Sequence, residues 1–181
     1  MAIIFRELNT EENQIIRDGL SYWLSEELFS EFVNSYCFMI GEGKWKEIFL
    51  ITNDLKKLLD KHPTITPYTI GLGLGEIKQN ELLLSLSGSS IISPLTTRKA
   101  IISQDAEQPF LYKNHILAKS VLKCSRSVQV NEKLLVTNEM GDLLGIGQLK
   151  IQVDELSKEK NADHQAIYNI LDLGWYLRKG K

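Results

Sequence analysis

Apolar residues recur every three or four positions in the first part of the chain, between residues 9 and 32. This spacing places side chains on one face of a helix. Asn9 and Glu12 have the residue types and separation of a capping box, in which each side chain accepts a hydrogen bond from the other residue's backbone. The pattern predicts one long amphipathic helix. Its apolar stripe consists of Ile15, Ile16, Leu20, Trp23, Leu24, Leu28 and Phe32.

Two apolar runs follow this helix and are joined by a short segment that contains glycine. The runs SYCFMI (35–40) and WKEIFLIT (45–52) have the length and composition of paired strands, so a β-hairpin is expected. The polar and apolar positions of residues 53–61 then return to helical spacing. Asn53 is the expected cap of this second helix, and Pro63 ends it.

The segment YTIGLGLGEI (68–77) contains three glycines, each two residues from the next. A dinucleotide-binding loop requires the spacing GxGxxG between a strand and a helix, and neither the spacing nor a suitable βαβ unit is present. The segment is therefore predicted to be a strand paired with ELLLSLSG (81–88). With the helices before it, this gives an α+β first half with an antiparallel sheet.

Small polar residues and Pro94 cluster in SGSSIISPLTT (87–97), which marks the expected boundary between two domains, 1–94 and 95–181. Short β-rich runs separated by turn residues dominate the second half, with one helix expected at about 105–112. Regularly spaced short strands of this kind predict a small, partly closed β-barrel. The predicted strands are 98–103, 115–123, 132–139, 143–153 and 165–171.

The composition is that of a globular protein, with 43% hydrophobic and 24% charged residues among 181. No apolar run approaches the roughly 18 residues that span a bilayer, and the first residues lack the pattern of a signal peptide, so an intracellular protein without membrane contact is expected. Cys37 and Cys124 belong to no CxxC pair, which argues against a zinc site or a disulfide framework.

Charge is distributed unevenly between the two halves. Residues 1–94 contain 8 Lys and Arg against 13 Asp and Glu, whereas residues 95–181 contain 13 against 10. The net charges are therefore −5 and +3. This asymmetry favours a polyanion, such as a nucleic acid, as the ligand of the second half.

The residue types that catalysis requires do not form a recognisable pattern. The three histidines, His62, His115 and His164, match no metal-binding or nucleophile motif, and there is no P-loop. Asp105 and Glu107 could form an acid/base pair, but carboxylates in a first helical turn also stabilise the helix dipole, and we favour that role. We expect no enzyme activity, no cofactor and no metal.

The segment AEQPFLYKNHIL (106–117), followed by DLGWYLR (172–178), resembles the PUA domain, an RNA-binding β-barrel. Together with YCF (36–38) and GLGLG (71–75), these motifs resemble the Nip-seven family of ribosome-biogenesis factors over essentially the whole chain. Position 113 is Lys where the family usually has Gly, and position 76 is Glu where Lys is expected. These departures and the short DLGWYLRKGK ending favour an archaeal member.

The resemblance implies a non-catalytic factor for assembly of the large ribosomal subunit and processing of its RNA. Its PUA domain would bind single-stranded or pyrimidine-rich RNA, and its acidic first half would bind pre-ribosomal or exosome-related proteins. Its location would be cytoplasmic in an archaeon and nuclear or nucleolar in a eukaryote. The alternatives are a protein–protein adaptor in ribosome assembly and an accessory subunit of an RNA-modifying enzyme.

The resemblance also places Lys113, Asn114 and Lys119 beside the RNA, because the helix and the loop before the second strand form one wall of the groove in PUA domains. Asn114 and Gln148 are expected to form hydrogen bonds with bases or 2′-hydroxyls. Basic residues elsewhere in the second half are expected to contact phosphates as well. The complete basic set is Lys113, Lys119, Lys123, Arg126, Lys150, Lys158, Lys160, Arg178 and Lys179.

Overall fold

The computed structural model describes residues 3–178, and its internal contacts divide the chain into two units, Met1–Leu95 and Thr96–Lys181. The first unit has an antiparallel sheet with flanking helices. The second unit is a curled sheet that forms a partly closed barrel. The predicted α+β class, with a PUA-type barrel in the second half, is therefore confirmed. No helix within residues 3–178 is long and apolar enough to cross a membrane.

The first unit contains a five-stranded sheet whose spatial order, β1-β2-β3-β4-β5, is also the order along the chain. Every neighbouring pair is antiparallel. The elements are β1 (Ile4–Glu7), α1 (Thr10–Trp23), α2 (Glu26–Ser35), β2 (Cys37–Glu42), β3 (Lys46–Ile51), α3 (Asn53–Lys61), β4 (Leu72–Lys78), β5 (Glu81–Leu84) and α4 (Leu86–Ile92).

The single long helix predicted for residues 9–32 is wrong, because the chain breaks into α1 and α2. Leu24 adopts an extended conformation, with φ −112° and ψ 147°, and Ser25 accepts a hydrogen bond from the backbone of Leu28 as the cap of α2. Leu24 is 5% exposed, so the break keeps this apolar side chain in the core. Apolar periodicity continues across the break and conceals it.

Asn9 and Glu12 form the predicted capping box at the start of α1. The Glu12 backbone donates to Asn9 Oδ1 at 2.8 Å, and the Asn9 backbone donates to Glu12 Oε2 at 3.0 Å. Arg6 and Lys46 hold the same carboxylate at 2.7 and 3.0 Å. Glu12 is therefore buried in an ionic network at the start of the helix.

The hairpin predicted from residues 35–52 is confirmed as β2 and β3. Helix α3 also forms where it was expected and ends before His62, but its cap is Thr52, whose side chain accepts from the Leu55 backbone at 3.2 Å. Asn53, the predicted cap, is the first helical residue and accepts a hydrogen bond from the Cys37 thiol.

The segment in which the domain boundary was expected, 87–97, begins with most of helix α4. Ser85 caps this helix by accepting from the Gly88 backbone at 2.9 Å. Gly88 packs so closely on β4 that a Cβ atom at this position would lie 1.8 Å from the carbonyl oxygen of Leu74. The small residues that suggested a domain boundary therefore allow a helix to contact the sheet backbone directly.

The second unit contains a six-stranded sheet with the order β7-β11-β10-β9-β6-β8. All its neighbouring strands are antiparallel except β6 and β9, which are parallel. The elements are β6 (Lys99–Ile102), α5 (Gln104–Leu111), β7 (Ile116–Leu117), β8 (Val121–Cys124), β9 (Lys133–Thr137), β10 (Leu143–Leu149), β11 (Gln165–Asp172) and α6 (Gly174–Arg178).

Residues 115–123, predicted to be one strand, form the two short strands β7 and β8 with a 3-10 turn at Ala118–Ser120 between them. The turn buries Ala118 in the barrel core and lets the chain pass from one edge strand to the other. Helix α5 packs Phe110, which is 1% exposed, into the same core.

Candidate nucleic-acid interface

Helix α5 ends in a Schellman motif that displays the loop identified by resemblance as a wall of the RNA groove. The backbone of Lys113 donates to the carbonyl of Phe110, and that of Asn114 donates to the carbonyl of Pro109. Lys113 takes the left-handed conformation of this motif, with φ +71°. Glycine is the residue best suited to that conformation, which gives a physical reason for the glycine usual in the family at this position.

His115 has a structural role beside this loop. Its ring stacks on Tyr168, with centroids 4.2 Å apart and planes 3° apart, and its Nδ1 accepts a hydrogen bond from the Asn169 backbone at 3.2 Å. The Asn169 side chain in turn donates to the Phe110 carbonyl at 2.6 Å. These contacts tie the end of α5 to strand β11. The contacts give His115 a positioning role, and they include no residue that would act with it in catalysis.

A strip of aromatic, amide and cationic side chains crosses strands β9, β10 and β11. In the strand register, Gln148 lies opposite both Tyr168 and Lys133. The Lys150 ammonium lies 5.0 Å from the centre of the Tyr168 ring and 3.0 Å from Asn131 Oδ1. The Gln148 amide donates to the Asn131 carbonyl at 2.8 Å. The predicted site residues Gln148, on β10, and Lys150, just after this strand, thus lie together with an exposed tyrosine.

Three of the predicted lysines form ion pairs with nearby carboxylates. Lys119 lies 2.6 Å from Asp163, and Lys158 and Lys160 both pair with Glu155. The Lys119 ammonium lowers the pKa of the Asp163 carboxyl, and hydrogen bonding from Lys158 lowers that of Glu155. The pairs are solvent exposed and therefore weak, so an RNA phosphate could replace each carboxylate.

Arg178 is held within the protein. Its guanidinium contacts both oxygens of Asp172, at 2.9 and 3.1 Å, and donates to the Leu111 carbonyl. Asp172 is 2% exposed, so the arginine neutralises a buried charge and anchors α6 to the end of α5. These contacts leave little of the guanidinium for a phosphate. Lys179 lies outside the described residues.

The remaining predicted residues have side chains that form no hydrogen bond or ion pair with any other part of residues 3–178. Lys113 and Asn114 are adjacent in the loop before β7. Lys123 lies on β8, and Arg126 follows that strand. β7 and β8 are the two edges of the sheet, so the structure divides these residues into two groups.

Sequence reasoning missed the aromatic part of this surface. Tyr112, at the end of α5, is 61% exposed. Tyr168 is also exposed, at an outward position of β11. Ala166 and Ile167 before it are both buried, because the register with β7 shifts between Gln165 and Ile167, and this irregularity hides the outward position of Tyr168 in the sequence.

Comparison with known families gives two matches that together cover most of the chain. Residues 5–86 match the family model described as the NIP7/UPF0113 pre-PUA domain, and residues 98–181 match the UPF0113 PUA domain. The loop at Lys113, the strip on β10 and the anchor at Arg178 all lie in the second match.

Individual relatives match over nearly their full length. A UPF0113 protein of Archaeoglobus fulgidus is 30% identical over 98% of this chain and 96% of its own. The 60S ribosome subunit biogenesis protein NIP7 of Saccharomyces cerevisiae is 23% identical over 96% of each chain. A hypothetical protein of Pyrococcus horikoshii has the same fold, with a TM-score of 0.65, 14% identity and coverage of 96% and 99%. The chain belongs to the NIP7/UPF0113 family, with a pre-PUA domain followed by a PUA domain.

Proposed function

We propose that this protein is a non-catalytic RNA-binding factor in biogenesis of the large ribosomal subunit, and that it binds single-stranded or pyrimidine-rich RNA through its PUA domain. The observation that carries the proposal is the partly exposed strip formed by Lys150, Gln148 and Tyr168. Elsewhere on the same domain, the side chains of Lys113 and Arg126 form no hydrogen bond or ion pair within residues 3–178. The name of the yeast relative, a 60S ribosome subunit biogenesis protein, supports the ribosomal setting, in which the protein would be cytoplasmic or nucleolar.

The side chains of this domain suit two kinds of RNA contact. Lysine and arginine neutralise phosphates irrespective of sequence, whereas amides and aromatic faces contact bases and 2′-hydroxyls. Tyr168 already has His115 stacked on its ring, so a base would meet the edge of this pair or the exposed Tyr112. The proposed phosphate contacts are Lys113, Lys119, Lys123, Arg126, Lys150, Lys158 and Lys160. We assign Arg178 to anchoring.

The first domain is less suited than the second to bind a polyanion, because its surface carries more acidic side chains. Glu76 and Glu47 are directly opposite each other on β4 and β3, and like charges in such a pair repel each other and any phosphate. Helices α1 and α2 add exposed carboxylates at Glu11, Asp18 and Glu26. These features support assignment of RNA binding to the second domain.

A charge-matched pair of variants tests the proposal. Replacing Lys113, Lys123 and Arg126 with Gln removes three positive charges from the PUA domain, and replacing Lys44, Lys57 and Lys61 with Gln removes three from the first domain. All six side chains are exposed. In a binding titration with oligo-U at low salt, the first variant should lose at least about ten-fold in affinity and the second should lose little.

Two results would contradict the proposal. If the unsubstituted protein bound no oligo-U at low salt, RNA binding itself would be wrong. If both variants lost affinity equally, the total charge of the protein would account for binding, and the PUA surface would not be its site.

The adaptor function is a second candidate, because the first domain exposes apolar side chains at and beyond α3. Leu58, Ile65, Tyr68 and Leu72 are each about half exposed or more. We propose pre-ribosomal or exosome-related proteins as partners of this domain. A pulldown with the full chain, with and without nuclease, separates the two functions, because partners of an adaptor remain after the RNA is degraded.

A further inference from the structure

A depression of about 440 Å³ lies between two loops of the PUA domain, the one that follows β8 and the one that follows β10. The volume is within the range of small-molecule sites. Three valines provide its apolar surface, and two amides and two opposite charges provide its polar surface. Its lining residues are Arg126, Val128, Gln129, Val130, Gln152, Val153 and Asp154.

The polar groups of this depression are not paired with each other. Arg126 and Asp154 line the same space, yet no ion pair joins them or connects either one to another residue in the described part of the chain. The side-chain amides of Gln129 and Gln152 also form no hydrogen bond within residues 3–178. A ligand that carries both a negative group and a hydrogen-bond donor would satisfy the two charges at once.

One wall of the depression is held in place before any ligand arrives. Glu132 accepts a hydrogen bond from the Gln129 backbone at 2.8 Å and another from Arg98 at 2.9 Å. The Gln129 backbone bond is the main reason that the pKa of Glu132 lies below its usual range. Val128, which is 3% exposed, anchors the same loop in the core. A fixed wall reduces the entropy lost when a ligand binds.

We propose that this depression binds one unstacked cytosine of the RNA strand. Asp154 would accept a hydrogen bond from the exocyclic amine of the base, an amide of Gln129 or Gln152 would contact its ring nitrogen or carbonyl, and Arg126 would bind an adjacent phosphate. A carboxylate only accepts hydrogen bonds, so it favours the amine of cytosine and disfavours the carbonyl that uracil carries at the same position. The inference rests on the proposed RNA binding and gives it a base preference.

Oligo-C and oligo-U of equal length provide the test, because their bases differ at this position and in the protonation of the neighbouring ring nitrogen. With the full chain at low salt and a pH above 7, oligo-C should bind roughly ten-fold more tightly than oligo-U. Asp154→Asn should bring this ratio close to one, because an amide can either donate or accept. Arg126→Gln should weaken both complexes and leave the ratio unchanged.

Glu159→Gln is the matched control, since Glu159 is exposed in a nearby 3-10 turn and the substitution removes the same charge. It should leave the ratio of the two affinities as it is. A ratio that does not change in Asp154→Asn, with oligo-U still bound, would overturn the cytosine site and leave RNA binding intact. Absence of binding to either oligonucleotide would overturn both.

Discussion

Glu12 shows how much one buried carboxylate can contribute to the first domain. The side-chain hydrogen bond from Arg6 lowers its pKa from an ordinary 4.5 to about 2. The folded state therefore binds this proton more weakly than the unfolded state does. The resulting stabilisation is complete above about pH 5 and is lost as the pH falls from 4.5 towards 2.

Glu12→Gln should lower the free energy of unfolding at pH 7 by about 2–3 kcal/mol, because it leaves Arg6 and Lys46 facing a neutral amide. Urea denaturation at a series of pH values measures this. The difference from the unsubstituted protein should shrink between pH 4.5 and 2. Glu11→Gln, at an exposed neighbouring position, is the control, and an equal effect there would contradict the role assigned to the network.

Lys113 has a left-handed backbone conformation that is unfavourable for lysine, and a positive charge for which we propose an RNA contact. Lys113→Gly should raise the free energy of unfolding by about 1 kcal/mol, because glycine adopts the left-handed conformation without steric cost. The same change should weaken oligo-U binding by removing a cation. Lys113→Gln should weaken RNA binding equally without the gain in thermal stability, so the two variants separate backbone strain from charge. A stabilised Gln variant would contradict this explanation.

At the level of elements, the contact between α4 and β4 depends on the absence of a side chain at Gly88. Gly88→Ala would force a methyl group against the Leu74 carbonyl and should cost about 3 kcal/mol in unfolding free energy. Gly73→Ala is the matched control, since nothing lies within 4 Å of the Cβ position there, and it should change stability by less than about 0.5 kcal/mol. Denaturant unfolding of both variants tests this, and similar losses would contradict it.

The sequence predicted those elements whose signals are local. The capping box at Asn9 and the hairpin of β2 and β3 follow from residues close together in the chain. The break at Leu24 was missed because the buried apolar positions continue through it, and only the cap residue Ser25 marks it. Helix α4 was missed because its small residues have weak helical preference, and tertiary contact with β4 determines its conformation.

The sequence predicted which basic residues to propose for the candidate site, but it did not predict which of them form ion pairs with carboxylates. Charge and resemblance selected the basic residues of the second half, yet Lys119 and Asp163 are 44 residues apart and meet only in the folded barrel. The anchoring of Arg178 could not be read from the sequence either, because its contact with the Leu111 carbonyl spans 67 residues. Long-range contacts therefore decide the pairing of Lys119 and part of the anchoring of Arg178, whereas Lys158 and Lys160 pair with a carboxylate close to them in the chain.

At the scale of the whole molecule, RNA affinity should depend strongly on salt. If about four of the seven proposed cations each neutralise a phosphate, Lys113, Lys123 and Arg126 among them, log K plotted against log of the salt concentration should have a slope near −3, at about −0.7 per contact. The variant lacking Lys113, Lys123 and Arg126 should reduce the slope to roughly −1. Titration of oligo-U across a range of salt concentrations measures both slopes, and a response that did not vary with salt would contradict the electrostatic mechanism.

The two sheets differ in the order in which their strands can assemble during synthesis. The first sheet pairs its strands in chain order, so each strand pairs with the strand that is synthesised next. In the second sheet, β6 can pair with β9, and β7 with β11, only after the later strand has been synthesised. At roughly 5–20 residues per second, that delay lasts seconds. A nascent chain would thus have a finished first domain while the face that we propose for RNA binding did not yet exist, which would keep it from capturing transcripts before its release.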